Sequence, residues 1–184
     1  QEHGGPGIVK KICKITEDFL KDFSPSGVCV STAGMVDCQT GTITYASPLI
    51  PEYTGTRLKE IIENRFSLPC EVENDVNCAG LAESHAGAAK GCGVCLCLTI
   101  GTGIGGSIII DGKVFHGFSG SGAEVGYMYL PGGQFQAWGA SSNLAKKVHA
   151  AKQEGPTYIN GTIIFEQATD QDPDCTTALA EKVD

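Results

Sequence analysis

The chain has 184 residues and a formal net charge of −8, enough length to bury a sizeable core as one domain or two small ones. The acidic balance, with no basic run longer than Lys10-Lys11 or Lys146-Lys147, argues against a nucleic-acid footprint. No apolar stretch reaches membrane-spanning length and the polar start is no signal peptide, so the expectation is a cytoplasmic protein with no membrane partner.

The opening "QEHGGPG" reads as a loop, and Ile8, Ile12, Ile15, Phe19 and Phe23 then follow helical spacing with charges opposite. "SPSG" stops that helix. "VCVSTAGMV" reads as a buried strand ending in a glycine turn, and "DCQTGTITYASP" as a hairpin or extended return. "TRLKEIIENRF" is a second amphipathic helix, "LPCEVEND" a short strand, and "VNCAGLAESHAGAAKG" a third helix rich in small residues. "VCLCLTIG" and "GSIIIDGKVFHG" read as strands, the second entering a hairpin turn at Asp111-Gly112. "FSGSGAEVGYMYLPGG" has too little periodicity to assign. "SSNLAKKVHAAKQE" is a helix with Ser141 or Ser142 as its cap, and "TIIFEQAT" and "TTALAEKV" read as helical. The alternation of helices with apolar strands predicts an α/β class with a covered sheet. A composition change at Gly87 to Gly93 places a boundary between a first part, 1–90, and a second, 91–184.

Nine cysteines, an odd number, do not suit a disulfide framework. Cys13, Cys29, Cys95 and Cys97 fall in apolar-periodic segments and read as small core residues. Cys92-Gly-Val-Cys95 is formally C-x-x-C, but no second ligand pair follows at zinc spacing. Nothing near His85 or His116 in sequence supplies a carboxylate or thiol at metal spacing, so both read as surface or helix-face residues. Asn160-Gly161-Thr162 reads as a turn.

The densest glycine signal is "LTIGTGIGGSIII". Gly101, Gly103 and Gly106 satisfy G-x-G-x-x-G, but a dinucleotide fingerprint must open a helix, and this loop opens a strand. No G-K-[ST] follows, which excludes a P-loop. Two readings stay open: a loop whose backbone N–H groups and Thr102 hydroxyl cradle an anion, or a tight turn with glycines for geometry alone. Asp75, between a strand and a helix, is either a helix cap or a general base for a hydroxyl attacking a phosphoryl group. Glu124, in a glycine-rich segment, is either a solvated loop residue or a ligand contact. No G-x-S-x-G elbow supports a serine hydrolase.

Taken in order, "VENDVNCAGLAE", "LTIGTGIGGSIIIDGKVFHG" and "GAEVGYM" resemble the ROK family of bacterial sugar kinases and sugar-responsive repressors. The upstream "VSTAGMVDCQTGTITYASPLIPEY" is similar to that family's strand, glycine turn and return toward the sugar, and the likeness runs from about Ile8 to Glu166. The resemblance implies a two-lobed actin-like, hexokinase-like (ribonuclease H-like) ATPase fold, present in part, with sugar and nucleotide meeting between lobes. The part before residue 91 would carry the sugar site and catalytic Asp, and the part after it the second phosphate loop. By resemblance Asp75 is the catalytic base, and Gly34, Asn74, Asp75 and Glu124 surround the sugar. Gly101, Thr102, Gly103, Ile104 and Gly105 are that phosphate loop. ATP with its magnesium is the implied cofactor, and a homodimer is an assembly common in the family.

The departures are equally informative. The family's E-x-G-H reads Glu124-Val-Gly-Tyr127, and the cysteine-rich motif of zinc-bearing members is replaced by "PGGQFQAWGASSNLAKKV". No structural zinc and no metal ligand are therefore expected, with Tyr127 a sugar hydroxyl partner. Gln136 stands where many members place a second sugar-contacting glutamate, and Leu49 where an asparagine is common. The family's first phosphate loop, an Asp-x-Gly-Gly-Thr hairpin, does not precede the first helix, and the family's last strand and helices do not follow the final one. The chain is thus expected to be a piece truncated at both ends that binds ATP poorly alone. The resulting expectation is an ATP-dependent kinase of a hexose or amino-sugar. The alternatives are the sugar-sensing domain of a ROK repressor and, more distantly, a thiol or zinc protein built on Cys92, Cys95 and Cys97. Glucose, N-acetylmannosamine, fructose and β-glucosides all remain open as substrates.

Overall fold

The computed structural model describes residues 4–152 and 161–183. Helix α1 (Gly4–Phe19) leads into β1 (Val28–Thr32), the short strands β2 (Met35–Asp37) and β3 (Thr42–Tyr45), helix α2 (Leu58–Phe66) and β4 (Cys70–Asn74). β1 and β4 pair in parallel, Val30 opposite Val72, while β2 and β3 form an antiparallel hairpin. Val36, Ile43, Tyr53, Leu58, Ile62, Cys70 and Val72 form the core of this part, with Cys13 of α1 closing it.

The loop expected at "QEHGGPG" is helix from Gly4 onward; Gln1 to His3 lie outside the described residues. Tertiary packing overrides the poor local propensity. A Cβ at Gly5 would lie 2.3 Å from the Glu52 carbonyl oxygen, and the Gly5 N–H donates to Pro51 O at 2.8 Å. Pro6 is tolerated because first-turn N–H groups lack intrahelical partners anyway. The helix also ends earlier than its periodicity suggests, at Phe19, whose ring stacks on Phe23 at 4.5 Å across the closing turn.

Helix α3 (Asp75–Ala86) follows β4 directly and packs against the antiparallel sheet of β5 (Val94–Ile100), β6 (Ile104–Ile110) and β7 (Lys113–Val114). The expected turn at Asp111-Gly112 is present. Both residues have positive φ, 49° and 75°, as a two-residue hairpin linking right-twisted strands requires. The composition change at Gly87 to Gly93 coincides with the turns after α3, yet α3 itself lies on β5 and β6, so packing crosses residue 90.

Gly80 of α3 brings the helix onto Ser107 of β6, where a Cβ would sit 2.5 Å from the Ser107 hydroxyl. Ser107 is fully buried, and that hydroxyl has no hydrogen-bond partner among the described residues. A desolvated, unpaired hydroxyl costs stability. Ser107→Ala should therefore raise the unfolding free energy by about 1 kcal/mol, read as a higher urea midpoint at unchanged slope. A lower midpoint would mean that the hydroxyl has a partner in solution.

The covered sheet is found on one face only among the described residues. Cys95, Cys97 and Thr99 alternate with Val94, Leu96, Leu98 and Ile100, and the latter four are 46–66% exposed. Cys29 likewise departs from expectation: it is exposed on β1, whereas Cys13 is buried and Cys95 and Cys97 are half-buried. All nine cysteines are free.

The unassigned glycine-rich segment forms a 3-10 turn at Val125–Tyr127 and a small hairpin of β8 (Tyr129–Leu130) and β9 (Gly133–Gln134), followed by α4 (Phe135–Gly139). Helices α5 (Ser141–Lys152), α6 (Gly161–Thr169) and α7 (Pro173–Val183) share a second core around Leu144, Val148, Ile164 and Cys175. Gln153, Glu154 and Asn160 lie outside the described residues. Neither Ser141 nor Ser142 stands before α5 as a cap; both are inside it, and the Ser142 hydroxyl donates instead to Thr102 O at 2.6 Å. No helix among the described residues is long and apolar enough to cross a membrane.

Candidate functional site

The end of β4 and the start of α3 face the β5–β6 loop across a cavity of about 940 Å³. Gly34, Asn74, Asp75, Gly101 to Gly105, Glu124, Tyr127 and Gln136 all line it. Residues as far apart as Gly34 and Gln136 are thus gathered in a space suited to small molecules.

The helix cap and the free carboxylate turn out to be different residues. Asn74 is the N-cap of α3: its Oδ1 accepts from the N–H groups of Val76 at 2.8 Å and Asn77 at 3.2 Å. Its Nδ2 donates to the Gly34 carbonyl at 2.9 Å, fastening the cap to the β1–β2 turn. Gly34 holds φ +102°, and a Cβ there would lie 2.5 Å from Tyr45 O, so this turn requires glycine. Asp75 is the first helical residue, relieved of capping, and among the described residues no side chain hydrogen-bonds its carboxylate. Replacing Asn74 by Ala should cost about 1–2 kcal/mol through the lost cap and the lost tie to Gly34. Asn74→Asp keeps the acceptor and should recover part of that loss; chemical denaturation of both variants checks it. Equal losses would mean that the Gly34 tie alone matters.

Glu124 precedes the 3-10 turn and is half-buried; burial, helped by the Asp75 charge, pushes its carboxyl above the usual glutamate range. The turn is seated on β6 through Gly126, where a Cβ would lie 2.1 Å from Ile104 O. Gln136 on α4 reaches the glycine loop: its Oε1 lies 3.2 Å from where a Gly103 Cβ would be.

The loop residues Gly101, Thr102 and Gly103 connect β5 to β6, and neither glycine there has positive φ. A Cβ at Gly101 would meet nothing within 4 Å. Gly105 and Gly106 differ: a Cβ at Gly105 would come within 2.6 Å of Val76 Cγ2, and one at Gly106 within 2.5 Å of Ala123 O. These glycines therefore serve close approach rather than unusual dihedrals. The Ser141 N–H donates to Gly101 O at 2.9 Å and the Ser142 hydroxyl to Thr102 O, so two loop carbonyls are held against the start of α5. Carbonyl oxygens repel anions, and tying them to α5 suits the loop to phosphate.

One cluster escaped the sequence entirely. His116, read as a surface residue without a partner, has its Nε2 2.8 Å from Glu73 Oε2 and 3.4 Å from Cys38 Sγ, and the thiol lies 3.2 Å from the same carboxylate oxygen. The three positions are spread over 78 residues, so no spacing signalled them. His85 does stay on its helix face, with Nδ1 3.0 Å from Leu81 O.

The ROK family model matches residues 1–161. The chain belongs to the ROK family. It is 48% identical over 94% of its length to an uncharacterised protein of Clostridium perfringens, and 34% identical over 86% to a β-glucoside kinase of Klebsiella pneumoniae. It covers 58% and 56% of those two proteins, so it spans less than two thirds of relatives that it matches. A ROK glucokinase from Streptomyces griseus, solved with glucose and AMPPNP, superposes with a TM-score of 0.81 at 28% identity, over 97% of this chain and 64% of that one. The ROK chain is accordingly of the actin-like, hexokinase-like class.

Proposed function

We propose that this ROK chain serves an ATP-dependent kinase of a hexose or amino-sugar. The observation that carries the proposal is the unengaged Asp75 carboxylate, facing a glycine loop across a ligand-sized cavity. In this reading Asp75 takes the proton of the sugar hydroxyl as its oxygen bonds to the γ-phosphorus. The bond from that phosphorus to the oxygen bridging the β-phosphate breaks, and ADP leaves with the electron pair. Glu124, Tyr127, Gln136 and the second amide hydrogen of Asn74 hold sugar hydroxyls, with the Gly34 backbone close beside them. The residues Gly101 to Gly105 hold phosphates, and magnesium arrives with the nucleotide. We propose further that residues 1–90 supply Gly34, Asn74 and Asp75 to the site, and residues 91–184 the phosphate loop together with Glu124, Tyr127 and Gln136.

The raised Glu124 carboxyl makes sugar binding pH-dependent. A carboxyl whose pKa is raised on folding favours the folded state below its unfolded pKa, and that contribution is lost as pH rises through the folded value. Ionised Glu124 is the better acceptor for sugar hydroxyls, so affinity should rise from the ordinary glutamate range upward.

The experiment is ADP release from ATP and magnesium against glucose, N-acetylglucosamine, N-acetylmannosamine, fructose and a β-glucoside, using the purified protein at its natural length. Turnover confined to one sugar would support the kinase and name its substrate. Sugar binding without turnover would overturn it in favour of a sensing domain.

A further inference from the structure

Cys38, Glu73 and His116 bring one thiol, one carboxylate and one imidazole together without any part in phosphoryl transfer. Their three ligand atoms form a triangle with sides of 3.2 Å (Sγ to Oε2), 3.4 Å (Sγ to Nε2) and 2.8 Å (Nε2 to Oε2). Around tetrahedral zinc, with sulfur about 2.3 Å and nitrogen or oxygen about 2.0–2.1 Å away, such atoms stand about 3.3–3.6 Å apart. The sulfur-to-nitrogen side already lies within about 0.2 Å of its expected value, the sulfur-to-oxygen side must open by about 0.3 Å, and the nitrogen-to-oxygen side by about half an ångström.

From this geometry we propose a zinc site formed by Cys38, Glu73 and His116, with water in the fourth position. The donor set selects the ion. A thiolate beside an imidazole suits zinc, whereas magnesium and calcium demand oxygen. Thiolate and carboxylate together balance the two charges of the metal. The proton lost is the one on the Cys38 sulfur, which goes to solvent as the sulfur–zinc bond forms.

The carboxylate is oriented as a metal ligand requires. Glu73 Oε1 accepts from the Asn74 N–H at 2.8 Å and from Asn77 Nδ2 at 2.9 Å, leaving Oε2 to face the thiol and the imidazole. His116 is fixed by its own backbone, whose carbonyl accepts from Gly122 N–H at 2.8 Å. His116 is about a third exposed and Glu73 less so, which gives water access to the open position. Cys38 lies in the turn after β2, Glu73 in β4 and His116 just beyond β7. One ion would thus clamp three segments together, immediately beside Asn74 and Asp75. The site is separate from Tyr127, and the inference does not rest on the kinase reading.

The test is optical and calorimetric rather than catalytic. Chelator-stripped protein is titrated with cobalt(II) and then zinc. One equivalent of cobalt should give thiolate-to-cobalt charge transfer and tetrahedral ligand-field bands; zinc should abolish both and raise the melting temperature. Cys38→Ser and His116→Asn, both at partly exposed positions, should each lose the bands and weaken zinc roughly hundredfold. Their metal-free melting and near-ultraviolet circular dichroism report that they fold, and either variant alone suffices. Cys92→Ser, in the exposed C-x-x-C, should change nothing. Absence of the charge-transfer band in the parent protein, or its survival in Cys38→Ser with loss in Cys92→Ser, would overturn the proposal and leave a hydrogen-bonded cluster.

Discussion

Asp75→Asn is expected to lower the rate of ADP formation by on the order of 10²–10⁴ while leaving the Michaelis constant for sugar close to that of the parent protein. The amide has the same shape, and the capping bonds belong to Asn74, so α3 keeps its start. What the variant loses is the ability to take the hydroxyl proton. It also loses a negative charge beside Glu124. Burial, the larger cause of the raised Glu124 carboxyl, persists, but the Asp75 contribution disappears, so Glu124 should ionise at lower pH. Calorimetric sugar titrations across the acidic range should therefore show the rise in affinity displaced downward in the variant. Unchanged turnover would remove Asp75 from the chemistry. An unmoved binding profile would remove Glu124 from the sugar site.

The glycine loop yields the second large contrast. Gly106→Ala drives a Cβ to within 2.5 Å of the Ala123 carbonyl oxygen, and backbone on both sides leaves little room to give. A cost of about 1–3 kcal/mol is expected, seen as a lower urea midpoint, because β6 and the segment carrying Glu124 must separate. Gly101→Ala meets nothing within 4 Å and has no positive φ to defend, so stability should stay within about 0.5 kcal/mol. Its methyl would instead stand at the wall of the cavity, and ATP affinity should fall roughly tenfold as backbone donors are held off the phosphates. Stability and nucleotide binding should thus separate along one loop. If Gly101→Ala binds ATP like the parent protein, the loop is a turn and no more.

The glycine contrast shows where sequence reading runs out. That the loop needs glycine was legible, but its reason was not: φ stays negative at Gly101, Gly103, Gly105 and Gly106, and the close neighbours come from α3 and from residues 123–125. The cap was half legible. Asn74 and Asp75 are both good capping residues next to each other, and the choice falls to Asn74 because Gly34, forty positions earlier, offers a carbonyl to its amide. The start of α1 was misread because Gly4 and Gly5 are poor helix formers; their value is that backbone from residues 51–53 can come against them.

By itself the sequence determined what depends on neighbours in the chain. The helical stripes of α1 and α2, the small-residue helix α3, the strand pattern of β5 and β6 and the Asp111-Gly112 turn follow from side-chain period and local conformational preference, which act over a few residues. The ordered motifs from "VEND" to "GAEVGY" were enough to mark the family. Only the tertiary structure decided which of two adjacent residues caps α3, which glycines admit a neighbour, and that Cys38, Glu73 and His116 meet. Each of these is a contact between segments distant in sequence. Its energy depends on a partner's position, to within a few tenths of an ångström, and no local pattern encodes that.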